Sequence, residues 1–166
     1  MWRDALRGCL DLLAPERCPG CDHPEWGGDF CGACEPLLEP VVGGPPDDRT
    51  GFLLQGPMAE GLRRLKYRGR IDLAPALALA ALARAPLDPG FDAVLAIPLH
   101  PRRLRQRGYN QSGLLAVEVA RRTGLPLRWG LLRRRRFTVA QVGLSTEEWS
   151  RYLPSWKWRQ RCEAQP

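Results

Sequence analysis

The stretch FDAVLAIPLHPRRLRQRGYNQSGLLAVEVARR, residues 91–122, decides the fold class that this 166-residue sequence predicts. It opens with a run from Phe91 to Leu99 that is apolar on both alternating faces, which is typical of a parallel strand covered by helices on both sides. It closes with a helical pattern that begins at a capping Ser112 and ends at Gly124. A buried strand that leads into a helix indicates an α/β domain.

The joint between that strand and that helix is rich in arginine. In α/β sheets, ligands bind beyond the carboxyl ends of the strands, and the amides that open a helix attract anions. Gly108 would let the backbone approach a ligand, while Asn110 and Gln111 offer hydrogen bonds to hydroxyl groups. The joint therefore predicts a site for a phosphate or pyrophosphate attached to a sugar, and a solvent-facing basic loop is the alternative. Its four arginines are Arg102, Arg103, Arg105 and Arg107.

The charge of the chain is unevenly distributed. Residues 1–40 carry three arginines against eight acidic residues, a net charge of −5, and residues 41–166 carry the other 22 basic residues against ten acids, a net charge of +12. A basic body of this kind suits phosphorylated partners, either nucleic acid or a sugar phosphate. A solvated basic face without a ligand explains the charge equally well.

Four cysteines form the strongest motif in the chain. The segment CPGCDHPEWGGDFCGAC, residues 18–34, contains two CxxC pairs separated by nine residues, and two such turns complete a tetrahedral zinc site. Four protein sulfurs leave no open coordination position, so we expect a structural zinc ion. Its predicted ligands are Cys18, Cys21, Cys31 and Cys34.

The interpretation of the four cysteines as zinc ligands agrees with the cellular compartment that the sequence predicts. Charged residues follow Met1 at once, and no apolar run approaches the roughly 20 residues of a membrane helix, so we expect neither a secretory signal nor membrane insertion. A cytoplasmic chain keeps its thiols reduced, which favours metal ligands over disulfides. Further helices and strands complete the pattern: residues 72–85 predict a helix that Asp72 caps, and residues 125–134 predict another strand.

Beside these patterns, four segments in this order resemble the ComF family of predicted phosphoribosyltransferases, which is associated with competence for DNA uptake. They are the four-cysteine module, LKYRG (Leu65 to Gly69), IPLHPRRLRQRGYNQSGLLA (Ile97 to Ala116) and RRRRFTVAQVGLS (Arg133 to Ser145). The third segment is the most specific, and the resemblance covers about residues 1–148.

The resemblance implies a partial type I phosphoribosyltransferase-like parallel sheet with helices, preceded by the small zinc module. It implies binding of phosphoribosyl pyrophosphate together with Mg²⁺, and stabilisation of the leaving pyrophosphate by metal and cationic side chains. It assigns no catalytic residue in this sequence. The substrate-binding positions that it implies are Lys66, Arg103, Arg107, Gly108, Asn110 and Gln111.

The chain also departs from this family. The family's ligand loop, an acidic pair that follows an apolar strand and runs into Thr-Thr-Gly, does not occur; the pairs Asp47-Asp48 and Glu147-Glu148 have neither context. A frameshift or early stop after about Glu148 would explain this and the unusual Trp- and Arg-rich tail, and it predicts impaired catalysis. The alternative is a non-enzymatic zinc-containing adaptor, whose tail stacks on single-stranded DNA or binds partners of the competence helicase machinery.

The predicted organisation has three parts. Residues 1–40 form an N-terminal helix and the four-cysteine zinc module. Residues 50–148 form an incomplete phosphoribosyltransferase-like α/β domain. Residues 149–166 form the atypical tail.

Overall fold

A computed structural model describes residues 16–25, 29–41, 51–85 and 90–134. The described residues up to Arg133 belong to one compact unit, Met1–Arg133, and none of the helices in these ranges is long and apolar enough to cross a membrane. The predicted N-terminal helix, the tail 149–166 and most of the RRRRFTVAQVGLS segment lie outside the described residues.

Four helices and two short strands make up the described fold. In chain order the elements are a 3₁₀ turn (Glu35–Leu37), helix α1 (Gly56–Tyr67), a 3₁₀ turn (Ile71–Leu73), helix α2 (Ala74–Arg84), strand β1 (Val94–Leu95), helix α3 (Pro101–Arg107), helix α4 (Gln111–Thr123) and strand β2 (Leu127–Arg128). Helix α2 packs against both α1 and α4, and α4 packs against both strands.

Helices α1 and α2 form where the sequence supplies a proline in the first turn and an apolar stripe behind it. Pro57 and Pro75 occupy those first-turn positions, where the missing N–H has no helical partner to lose. Helix α2 begins at Ala74, two residues later than predicted, because Asp72 lies in the preceding 3₁₀ turn and its carboxylate accepts hydrogen bonds from Arg70. Asp72 is therefore not the helix cap.

The two strands pair in parallel. Val94 is opposite Leu127 and Leu95 is opposite Arg128, and the connection between the strands passes through α3 and α4. The mixture of helices with a parallel sheet agrees with the predicted α/β pattern. The strand is much shorter than the apolar run predicted, and it is not buried on both faces: Leu95 is 39% exposed and Ile97 is 47% exposed. Within the described ranges β2 is the one strand beside β1, and α4 is the helix that packs on both, so the apolar run stays partly uncovered.

The arginine-rich joint folds differently from a loop. Residues Pro101–Arg107 form helix α3, which His100 caps by accepting a hydrogen bond from the Arg102 amide at its Nδ1 atom, 3.2 Å away. Gly108 ends this helix in the left-handed conformation, with φ of 84°, which glycine adopts without steric cost. Helix α4 is capped at its start by Asn110 and not by Ser112; it ends at Thr123, and Gly124 closes it in the left-handed conformation, as predicted.

The core joins the cysteine module to the first two helices. Leu65 and Leu73 are almost completely buried, and they belong to the same apolar cluster as Met58 and Leu77. Three of the four cysteines, Cys18, Cys31 and Cys34, are buried in that cluster too. The two cysteine turns and the helices thus share one hydrophobic core among the described residues.

Truncating Leu65 should therefore destabilise the whole unit. We expect Leu65→Ala to lower the free energy of unfolding by about 2–5 kcal/mol, because a fully buried leucine is replaced by a cavity. The matched control is Leu54→Ala, at a position 65% exposed, which should change stability by less than about 0.5 kcal/mol. Urea unfolding of both variants measures the difference, and equal effects would contradict a shared core at Leu65.

Candidate functional site

The two CxxC segments bring their four sulfur atoms together. The Sγ atoms of Cys18, Cys21, Cys31 and Cys34 all lie within 4.8 Å of one another, and the Sγ atoms of Cys21 and Cys31 are 3.5 Å apart. Sulfurs that share a tetrahedral zinc ion with Zn–S bonds of about 2.3 Å lie about 3.8 Å apart. Four thiolate donors at this spacing can hold a metal ion such as zinc, as the sequence predicted.

Each cysteine pair is held by a short hydrogen-bonded turn. In the first, the Asp22 amide donates to the Cys18 carbonyl and the Cys18 amide donates to the His23 carbonyl, both at 2.9 Å. In the second, the amides of Cys34 and Glu35 donate to the Cys31 carbonyl at 2.8 and 2.9 Å. The turns therefore place their thiols through backbone bonds.

Backbone amides also tune the thiols. Burial raises the pKa of the Cys18 thiol, but the amides of Cys31, Cys21 and Gly20 donate towards its sulfur and together lower the pKa to about 7. The Cys31 amide lies 3.4 Å from that sulfur. For Cys34, burial and the neighbouring thiols raise the pKa well above its ordinary value, because further thiolate charges cannot gather there without a cation. Metal binding must displace those protons.

The first cysteine turn packs tightly on α1. A Cβ atom placed on Gly20 would lie 2.7 Å from the Pro57 Cβ and 2.9 Å from the Cys34 Sγ, so this position has no room for a side chain. Pro19 is fully buried, and its Cβ lies 3.0 Å from where a Cβ on Gly61 would be. The turn and the helix approach each other through two glycines.

Charged side chains add to this contact. Asp22 has a φ of 67°, in the left-handed region that Asp tolerates better than most residues, and its carboxylate accepts a hydrogen bond from Arg70. That hydrogen bond lowers the pKa of Asp22 below its ordinary value. Arg64, on α1, donates from Nη1 to the Pro19 carbonyl at 3.3 Å. The sequence contains no local signal for the Asp22–Arg70 pair, whose members are 48 positions apart.

The predicted anion-binding arginines fall on two sides of α3. Arg103 and Arg107 are four residues apart, so they share a face, and both are half-buried. Arg102 and Arg105 lie on other faces and are exposed. The helix therefore separates the four arginines that a loop would have allowed to gather.

Arg107 is held in place from two directions. Its guanidinium lies 5.1 Å from the centre of the Tyr67 ring, in cation–π geometry, and its Nη1 donates to Oε1 of Gln111. The hydroxyl of Tyr109 donates to the Leu65 carbonyl. The segments LKYRG and RGYNQ, which the sequence placed in one site, thus contact each other. Lys66 lies between the two contact positions on α1 and is half-buried.

Asn110 has a structural role that the sequence did not predict. Its Oδ1 accepts a hydrogen bond from the Ser112 amide at 3.1 Å, and its Nδ2 donates to the Ile97 carbonyl at 3.0 Å. It ties the end of the apolar run to the start of α4. The contacts of Tyr67 and Tyr109 were not predicted either. Both residues lie inside the quoted motifs, but each contact joins two distant segments, and residue type alone does not indicate such a contact.

A groove of about 850 Å³ lies elsewhere, against the cysteine module and α2. Phe30, Leu38, Phe52 and Leu79 are among its lining residues, together with Arg84. None of the six predicted substrate-binding residues lines it. Comparison of the chain with protein-family models, curated proteins and solved structures gives no match.

Each CxxC turn contains one glycine, Gly20 in the first and Gly32 in the second, and this pair allows a test of the metal site. We expect Gly20→Ala to weaken zinc binding or folding by about 1–3 kcal/mol, because its methyl group collides with Pro57 and with the Cys34 sulfur. Gly32→Ala is the control, since a Cβ there meets nothing within 4 Å. Competition with a chromogenic chelator measures zinc affinity, and a thermal melt measures stability. Equal behaviour of the two variants would count against this packing.

Proposed function

We propose that this chain is a ComF-like protein of the phosphoribosyltransferase type that binds phosphoribosyl pyrophosphate, or a related phosphorylated ligand, beside a structural zinc site. The observation that supports the proposal most is the contact between LKYRG and RGYNQ, through Arg107 over Tyr67 and Tyr109 on Leu65. Lys66 lies between Leu65 and Tyr67 on α1, and Arg103 lies one turn before Arg107 on α3, so the proposal assigns these three cations to one ligand.

The chemistry of these groups suits a diphosphate. Arg107 is restrained by its stacking and by its hydrogen bond, so its planar fork loses little freedom when it binds two phosphate oxygens. Gly108 follows Arg107 in the chain, and Gln111 is the first residue of α4, whose N-terminal amides favour anions. When bound, Mg²⁺ would neutralise part of the pyrophosphate charge, while the chain's cations bind and orient the diphosphate.

The proposal concerns binding. The 166 residues contain no acidic pair that runs into Thr-Thr-Gly, and Asp47-Asp48 and Glu147-Glu148 lie outside the described residues. We therefore assign neither ribose-binding side chains nor a catalytic residue to this chain.

Removing Arg107 should weaken ligand binding specifically. We expect Arg107→Ala to reduce the affinity for phosphoribosyl pyrophosphate in the presence of Mg²⁺ by about 1.5–3 kcal/mol, the usual worth of a hydrogen bond to a charged group. The matched control is Arg105→Ala, which removes the same charge from an exposed position on the same helix. Calorimetric titration of the zinc-loaded protein measures both affinities.

The Arg105→Ala control also distinguishes the proposed function from a second candidate, an adaptor for single-stranded DNA. The net charge of +12 on residues 41–166 favours a polyanion, and an adaptor for single-stranded DNA would use that charge diffusely. Equal losses from Arg107→Ala and Arg105→Ala, with DNA binding that falls steeply with salt, would support the adaptor. A wild-type protein that shows no saturable binding of phosphoribosyl pyrophosphate would refute the primary proposal.

A further inference from the structure

The first cysteine turn contacts both flanks of the LKYRG segment through hydrogen bonds and an ion pair. Asp22 directly follows Cys21, and its carboxylate pairs with Arg70, one residue beyond Gly69. Arg70 also donates from Nη2 to Oδ2 of Asp72 at 2.7 Å, so its guanidinium bridges two carboxylates. The end of the segment is thereby tied to a residue next to a metal ligand.

A second arginine, Arg64, binds the cysteine turn at the beginning of the segment. Arg64 precedes Leu65, and its side chain is only 13% exposed. Its Nη1 lies 3.3 Å from the Pro19 carbonyl and 4.0 Å from Oδ1 of Asp22, while its Nε donates to Glu60 at 3.1 Å. Arg64 and Arg70 therefore contact the same cysteine turn from both ends of Leu65–Gly69.

The opposite contacts of this segment reach the predicted ligand site. The Leu65 carbonyl accepts the Tyr109 hydroxyl, and the Tyr67 ring lies beside Arg107. Residues 65–67 consequently stand between the cysteine turn and the RGYNQ motif. A displacement of the turn would be transmitted across about one helical turn to the guanidinium of Arg107.

We propose that Asp22, Arg64 and Arg70 form a latch through which metal occupancy of the four cysteines positions Leu65–Gly69 and sets the affinity of the neighbouring site for a diphosphate. Without metal the Cys18–Asp22 turn loses the ligand bonds that join it to the second cysteine turn and reinforce its own backbone hydrogen bonds, because the binding energy of a structural metal is largely folding energy. The latch then releases the segment. Its effect on the diphosphate rests on the proposed function, whereas its effect on the segment does not.

The segment is tested first, without any phosphorylated ligand. Hydrogen exchange of the full chain, read by mass spectrometry, compares the zinc-loaded protein with the protein stripped by a chelator. We expect the amides of residues 64–70 to exchange at least about tenfold faster after zinc removal, while residues 118–123 of α4, beyond the leucines that pack on the cysteine core, keep their protection. Unchanged exchange at 64–70, or an equal loss of protection throughout the chain, would overturn the latch.

Matched variants then test the ion pair. Asp22→Asn keeps the side-chain shape and tolerates the left-handed backbone, but it removes the charge that Arg70 meets. We expect it to lower zinc affinity by about 5–50-fold, within the usual range of coupling between two sites. Asp72→Asn is the control, because it removes the other carboxylate partner of Arg70 without touching the cysteine turn, and it should leave zinc affinity within about twofold.

A double variant separates the latch from a general loss of stability. If Asp22 and Arg70 act through each other, Asp22→Asn combined with Arg70→Gln should lose no more zinc affinity than the worse single variant. Additive losses would show that the two residues act independently and would overturn the latch. A competing chromogenic chelator serves as the readout for all variants.

The ligand is tested last. Phosphoribosyl pyrophosphate with Mg²⁺ should bind more weakly to the zinc-free protein, and by reciprocity it should tighten zinc binding by the same factor. Equal affinity in both forms, with clear binding in each, would overturn the coupling and leave the proposed function standing. No binding by the zinc-loaded protein would refute the proposed function, and the exchange and zinc measurements would then decide the latch by themselves.

Discussion

Four converging thiols, three of them inside a hydrophobic core, are the constraint on which the described structure depends. Cys18, Cys31 and Cys34 are buried beside Leu65 and Leu77, so the two cysteine turns are part of the same packing as helices α1 and α2. Thiols that must lose their protons at such a spacing need a cation to share the charge. A metal ion bound by the four cysteines would therefore stabilise this part of the core directly, because its ligands are themselves core residues.

That constraint reaches the arginine-rich region through short links. The latch residues touch the first cysteine turn, and the backbone they flank is held on its other side by Tyr109 and Arg107. Each link is a hydrogen bond, an ion pair or a ring contact between segments more than 35 residues apart in sequence. Arginine serves both purposes because its fork can bond two acceptors at once, as Arg70 does with Asp22 and Asp72.

The local patterns predicted several features because their causes are local. The CxxC spacing places two thiols on one turn, and the glycine after the helical run of α4 ends that helix in the left-handed conformation. The two helix-cap predictions failed because a neighbouring side chain competed for the same group. Asp72 bonds Arg70 and so does not cap α2, and Asn110 takes the cap of α4 in place of Ser112.

The sequence by itself predicted the cluster of four cysteines, the helices at Ala74–Arg84 and Gln111–Thr123, and the position of the arginine-rich residues after a strand, because each depends on residues close together in the chain. Only the tertiary structure decided that Arg103 and Arg107 share a half-buried face while Arg102 and Arg105 point away, and that Tyr67 supports Arg107. It alone decided that Asp22 meets Arg70 across 48 positions. Such pairings follow from how the cysteine turn packs on α1, and no spacing within either segment encodes that contact.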